Sequence, residues 1–532
     1  MANEFFNKEK NIRAVNQSMA KRFLCAPDAP VVTTALGKLR GYCYDGVYTF
    51  RGVPYARAQR FQMPQKAEPW KGLRNALNYG FVSPLVERPQ PENNLLLEKR
   101  FWPEDEHCQN LNIWSPSLDA LAKLPVMVWL HGGGFQTGSS IEMTAYDGAA
   151  LSAFGEVVVV TLNHRLNILG YLDLSSFGAR YENSGNAGMA DVVEGLRWVR
   201  ENIAHFGGDP DNVTIFGQSG GGGKAIALGQ IPAAEGLFQK VILMSVVVDL
   251  YFGRRDDRAV VLDMLDRLGL TKKDARLLET IPYSDLARAY RQTRKELAPQ
   301  GIQFFSAPIE NGWYRGDPLQ KGFSAWMDRI PVLLGTTISE VEPGGVGLFA
   351  ARNIGETEKT GLVFQRYGEK TDELLRLFRQ AYPEKDILQL LALDVLFRGP
   401  ALSYLELRKC TQAETYSYIF SLEFDHLGGT PAWHSGDIPF AFHNASRVPV
   451  CSLGEASERL EEQYCSAFVQ FAKSSAPRHA LLPDWPSYRE EHRATMLFDR
   501  RCDVRLDFDR ELIQRLKTAF IPFRSDAVYR DE

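Results

Sequence analysis

The chain has 532 residues, 45% of them hydrophobic, enough for a large buried core, although length alone leaves the number of domains open. A formal net charge of −4 and a pI near 6.2 argue against nucleic acid or an anionic membrane as partner, and no run reaches the roughly 18 apolar residues of a membrane span. The seven cysteines (25, 43, 108, 410, 451, 465 and 502) show no C-x-x-C or other metal spacing, and the first 21 residues carry no apolar signal core, so a reducing cytoplasm is expected.

Residues 1–28 read as a polar extension with Phe5, Phe6, Phe23 and Leu24 as the apolar handles by which it would dock. From residue 29 to 532 a single domain is expected. Short β-branched runs near 125–130, 157–162, 213–217, 240–245, 331–335 and 416–421 alternate with helical patterns. That alternation predicts an α/β fold: a large, mostly parallel sheet with helices on both faces. The charged patterns of Asp256–Leu270 and Lys370–Tyr382 read as helices with one solvated face.

Four segments carry chemistry. The first is the strand Leu124–Leu130, which runs into His131-Gly132-Gly133-Gly134. Acyl transfer builds negative charge on a former carbonyl oxygen, and glycines let backbone N–H groups turn toward it. His131 is read as the residue that holds this loop. The second is Val213–Gly217 leading into Gly217-Gln218-Ser219-Gly220-Gly221, the Gly-x-Ser-x-Gly turn that presents a serine between a strand and a helix. A helical stretch is expected from Lys224 to Gly229. The N–H of Gly220, with those of Gly133 and Gly134, completes the expected oxyanion hole, helped by the positive end of the helix dipole. The run Gly220–Gly223 before Lys224 is not a phosphate loop, because Gln218 stands where the first glycine is needed and Ala225 where Ser or Thr must follow.

In the third segment, Pro331–Gly335, a strand is followed by Glu340, with Glu342 two residues on as the rival acid. In the fourth, Gly428–Phe440, His434 lies in a Gly- and Pro-rich loop, with His426 as the rival base. Imidazole suits proton transfer from a serine near neutral pH. His164 and His205 are read as structural. The order Ser219, acid, histidine is that of α/β-hydrolases.

With these segments the chain resembles the type-B carboxylesterase/lipase family, related to the cholinesterases and bacterial p-nitrobenzyl esterases. The resemblance runs from about Val31 to about Phe523. It rests also on Phe50-Arg51-Gly52-Val53-Pro54-Tyr55-Ala56, on Cys108–Ile113, on Asn163-His164-Arg165 through Leu172, on Asn202–Pro210, and on Trp485-Pro486 with Thr495-Met496. It implies an α/β-hydrolase fold and a serine carboxylesterase with Ser219, Glu340 and His434 as triad. It further implies Ser245 as a serine supporting the triad, a cap built from insertions within 250–405, small-molecule esters as substrates, and no metal or organic cofactor. Amide, carbamate or lactone hydrolysis could use the same machinery, and some relatives are binding proteins without a triad. Phe135, Trp313 and Trp433 are candidate pocket walls.

The departures are specific. Gln218 replaces the family's usual glutamate, which argues against choline esters. Gly220 replaces the usual alanine. His107 and Gln109 replace the usual aspartate and leucine, and Tyr79–Pro84 offers Ser83 where secreted relatives carry a cysteine, so Cys108 is expected to stay reduced.

Overall fold

The structure, a computed structural model, describes residues 23–87, 99–246, 254–304, 306–340, 353–425 and 429–519. Its central sheet has twelve strands: β1 (Phe23–Leu24), β2 (Tyr42–Tyr44), β3 (Val47–Pro54), β4 (Asn110–Ser115), β5 (Leu124–Leu130), β6 (Val158–Leu162), β7 (Gly208–Gln218), β8 (Lys240–Met244), β9 (Val332–Thr337), β10 (Thr415–Phe420), β11 (Ala494–Phe498) and β12 (Asp503–Leu506). Across the sheet they lie in the order β1-β2-β3-β4-β6-β5-β7-β8-β9-β10-β11-β12. The seven strands from β6 to β11 run parallel, and antiparallel strands flank them on either side. The expected α/β class and the six expected strands are all present.

The parallel strands are mostly apolar at their centres because both faces are covered there. Val158–Leu162 and Lys240–Met244 are buried at every position. Beneath the site, Trp129 is fully buried and packs its ring 4.9 Å from Phe216, 5.0 Å from Phe442 and 5.1 Å from Tyr146. Trp129 lies two residues before the glycine loop and Phe216 three before Ser219, so this cluster fixes both strand ends; removing such a ring costs about 3–5 kcal/mol. Arg165, just past β6, forms a buried bidentate pair with Asp191 at 2.8 and 2.7 Å. Asp191 lies on helix α1 (Ala187–Asn202), so the pair ties that helix to the sheet.

Two boundaries differ from expectation. Strand β7 begins at Gly208, five residues ahead of the expected run at 213–217, and its register with β5 shifts between Leu124 and Val126. Helix α2 spans Gly220–Leu228, starting directly after Ser219 and not at Lys224. Glycine is a poor helix former, but this helix packs between strands where side chains have no room: a Cβ on Gly221 would stand 1.9 Å from the carbonyl oxygen of Leu130.

Part of the stretch read as an N-terminal extension lies in the sheet. Phe23 and Leu24 already pair with Tyr44 and Cys43 as the sheet's edge strand, with their side chains 63% and 43% exposed. They join through the backbone and do not bury. Phe5 and Phe6 lie outside the described residues.

Within 250–405 lie α3 (Asp257–Arg267), α4 (Tyr283–Leu297) and α5 (Thr371–Ala381), and α6 (Arg398–Arg408) runs three residues past its end. The α5 pattern is as expected: Leu374, Leu375, Leu377 and Phe378 are buried, whereas Asp372, Glu373, Arg376 and Arg379 face solvent. A later helix, α7 (Glu455–Ser474), packs against the site's rear. Among the described residues, no helix is long and apolar enough to cross a membrane.

Candidate active site

The chain order of the sheet reverses at β5, which pairs with β6 on one side and β7 on the other. Open parallel sheets bind ligands beyond the strand ends at such a reversal. The glycine loop leaves β5 there, and Ser219 leaves β7 beside it, with Leu130 and Gly217 directly paired. Ser219 has φ 57° and ψ −124°, a conformation that disfavours a side chain. Its N–H donates to Met244 O (2.9 Å), and Gly223 N–H donates to Ser219 O (3.0 Å), so β8 and the first turn of α2 hold the strained residue.

The glycine loop is fixed by its carbonyls. His131 Nδ1–H donates to Gly132 O (2.9 Å), and the N–H groups of Thr137 and Gln136 donate to Gly133 O (3.0 and 3.2 Å). In a trans peptide the C=O and the following N–H point in opposite directions. Tying the carbonyls of Gly132 and Gly133 therefore aims the N–H groups of Gly133 and Gly134 the other way. Gly133 and Gly134 have φ 83° and 64°, which glycine adopts without penalty.

The expected role of His131 as holder of this loop is thus met. Its ring stacks on His164 with centroids 5.0 Å apart, and His164 Nδ1–H donates to Arg165 O (2.9 Å). Burial, reinforced by the nearby Lys224, holds both imidazoles well below the usual histidine range, so both are neutral. Phe135, expected as a pocket wall, is buried in the core against Tyr171 and Lys224.

Glu340 and His434 are 94 residues apart in sequence and meet because their loops are stitched together. Ser339 N–H donates to Ala432 O (3.1 Å), and His434 N–H donates to Glu340 O (3.2 Å). The fully buried Glu340 carboxylate accepts from Thr337 N–H at Oε1 (2.7 Å) and from His434 Nδ1 at Oε2 (2.6 Å). Nδ1 is thereby the donor, which leaves Nε2 of His434 as the acceptor. The Phe397 ring, at the start of α6, packs against the imidazole at a tilt of 41°, 4.7 Å between centroids. The rivals Glu342 and His426 lie outside the described residues.

The Gln218 amide nitrogen stands over the ring, 3.1 Å from Nε2 and 3.3 Å from Nδ1. Among the described residues, no hydrogen bond links the Ser219 hydroxyl to His434. Ser245, one residue past β8, is buried with φ 47°. Its N–H donates to Gly335 O (2.7 Å), and its hydroxyl makes no hydrogen bond among the described residues, so none to the triad. Trp433 is half-buried against Phe424, 4.7 Å between centroids, and Trp313 is half-buried against the core.

Two buried acids near Glu340 went unassigned in the sequence. Asp394 caps α6, accepting N–H bonds from Leu396, Phe397 and Arg398 at 2.8–3.0 Å. Burial and then the Glu340 charge push its carboxyl above the usual range. Asp437 accepts from the Tyr464 hydroxyl of α7 at 2.9 Å. Burial, then Glu340, pushes it up to about 7. Asp437 lies three residues past His434, inside the histidine motif.

The Carboxylesterase family profile matches residues 28–514. The chain belongs to the carboxylesterase family. It is accordingly a carboxylic ester hydrolase of the α/β-hydrolase fold. It is 33% identical over 506 residues to the para-nitrobenzyl esterase of Bacillus subtilis (strain 168), covering 91% of this chain and 98% of that protein. It is 30% identical over 514 residues to carboxylesterase 3 of Homo sapiens, covering 87% and 86%.

Among solved structures, an esterase from the anaerobe Clostridium hathewayi superposes with a TM-score of 0.91 at 46% identity, covering 94% of this chain and 100% of that one. That enzyme is described as able to hydrolyse aliphatic aromatic polyesters. A carboxylesterase of Geobacillus stearothermophilus superposes with a TM-score of 0.71 at 32% identity, covering 92% and 99%.

Proposed function

We propose that this carboxylesterase works through Ser219 as nucleophile, His434 as general base and then acid, and Glu340 as the carboxylate that orients the imidazole. The observation that carries this reading is the 2.6 Å contact between Glu340 Oε2 and His434 Nδ1, in a loop pair set beside a serine whose backbone is held at φ 57°. In the first half-reaction the Ser219 hydroxyl donates to Nε2, the ring nitrogen that the Glu340 contact at Nδ1 leaves as acceptor. His434 accepts its proton as Oγ bonds to the ester carbonyl carbon. The N–H groups of Gly133, Gly134 and Gly220 take up the charge on the carbonyl oxygen, and the imidazolium passes its proton to the departing alkoxide. Water then attacks the acyl-enzyme with His434 as base, and the acid leaves.

We assign Ser245 a supporting place behind β8 and not a step in proton transfer. The helices α3 to α6 are the proposed cap. Substrates are small carboxylic esters, with alkyl–aryl esters first among them. The likeness in both sequence and fold to the Clostridium hathewayi polyester-hydrolysing enzyme supports that order. Seven unpaired cysteines, three of them buried, support a reducing compartment.

The test is hydrolysis of p-nitrophenyl acetate, butyrate and octanoate, and of a dialkyl terephthalate, by the wild type and by Ser219→Ala, with circular dichroism alongside. An active wild type, a folded and silent variant, and fluorophosphonate labelling of Ser219 are expected. A folded Ser219→Ala protein with undiminished turnover overturns the assignment.

A further inference from the structure

Lys224 lies on α2, five residues past Ser219, and is completely buried. Charged lysines are rarely left there without a purpose, because desolvating an ammonium is costly. Burial pulls the amine down to about 7, with Glu142 opposing that shift. Its Nζ donates to the carbonyl oxygen of His131 at 2.8 Å and lies 5.7 Å from the centre of the Phe135 ring. The contact therefore joins the helix that follows the serine to the first peptide of the glycine loop.

That peptide is the missing member of a series. The carbonyl of Gly132 is held by His131 Nδ1 and that of Gly133 by Thr137 and Gln136. The carbonyl of His131 is held by Lys224 alone among the side chains described. His131 also carries the ring that fixes the next peptide. Releasing its carbonyl would loosen the backbone on which that ring depends, and with it the direction of the Gly133 and Gly134 amides. An amine donates a hydrogen bond whether or not it is charged, so this tie does not depend on the protonation state of Lys224.

We infer that Lys224 is a positioning residue of the ester-hydrolysing site: by holding the His131 carbonyl it sets the angle at which the glycine loop presents its amides to the oxyanion. The inference rests on the roles proposed above for Gly133 and Gly134. It assigns work to a residue that touches neither substrate nor the reacting atoms.

The experiment compares wild type with Lys224→Met, which keeps an unbranched chain of similar length and removes the donor. Turnover of p-nitrophenyl butyrate is expressed per site titrated with a fluorophosphonate, so that loss of folded protein does not count as loss of kcat. A trifluoromethyl ketone of matched acyl length, whose adduct carries an oxyanion, supplies an equilibrium readout. The expected result is a kcat lower by about ten- to a hundredfold with KM within about twofold. The ketone should weaken by the same factor as kcat/KM.

A merely structural lysine would lower the melting temperature and leave kcat per titrated site and ketone affinity at wild-type values. That outcome overturns the inference. If Lys224→Met does not fold, Lys224→Gln, whose amide stops one atom short of the lysine nitrogen, is measured the same way, and wild-type values there overturn it equally. An inert wild type, or an active Ser219→Ala, would instead strike at the proposed function itself.

Discussion

A Cβ on Gly220 would stand 2.2 Å from the carbonyl oxygen of Gly134 and 2.4 Å from its Cα. The first residue of the elbow helix and the last glycine of the loop are in backbone contact. The glycine at 220, where the family usually has alanine, follows from that approach, since no Cβ tolerates a heavy atom so near.

Gly220→Ala is therefore expected to push the loop away from the elbow. It should lower kcat by about tenfold or more, because donors displaced by an ångström lose much of their effect. It should also cost about 1–3 kcal/mol of stability as an overpacked contact. Steady-state kinetics on p-nitrophenyl butyrate and urea denaturation check both. An alanine variant with wild-type kcat would mean that the loop yields without penalty.

Gln218 places a neutral amide against His434, 3.1 Å from Nε2. Gln218→Glu would add a carboxylate there, beside Glu340. A negative charge favours the imidazolium, whereas the base must be neutral to act. The acidic limb of kcat/KM is expected to move up by about one pH unit, with activity several-fold lower at pH 6 and near wild type at pH 9. A pH–rate profile from 5 to 9 measures it. An unmoved limb would show that residue 218 faces away from the ring in solution.

Asp437 couples the site to stability. Its carboxyl is pushed up to about 7 by burial and by Glu340, so between about pH 4 and pH 7 the folded chain binds a proton that the unfolded chain has released. Stability from this group is present at low pH and lost as pH rises through that window. Asp437→Asn cannot ionise and can still accept from Tyr464. Relative to wild type it should gain stability between pH 5 and pH 8. Urea unfolding at pH 5, 6, 7 and 8 tests this, and parallel curves would count against the upward shift.

The sequence determined a good deal unaided. The alternation of β-branched runs with amphipathic stretches was enough for the sheet. Val158-Val159-Val160 can be buried on both faces only in such a layer, and Leu374, Leu375 and Phe378 point inward as their helical spacing requires. The positions of the glycine loop and of Ser219 were also legible, because strain and close backbone approach leave a mark in residue type: few residues other than glycine fit there. Local physics stops at that range.

Which partners met across the chain was decided by the tertiary structure. Nothing in residues 331–340 announces that Ser339 and Glu340 will share backbone hydrogen bonds with Ala432 and His434. Those bonds arise because β9 and β10 lie side by side and their following loops emerge together. The same reason hid Lys224. In the sequence it is one charge after four glycines, and it becomes a support for the loop only once α2 is packed under β5. Gln218 could be noted as a departure from the family, but its place over the His434 ring depends on a loop more than 200 residues away. Residue type records what a position must tolerate locally; the identity of a distant neighbour is set by the packing of whole strands and helices.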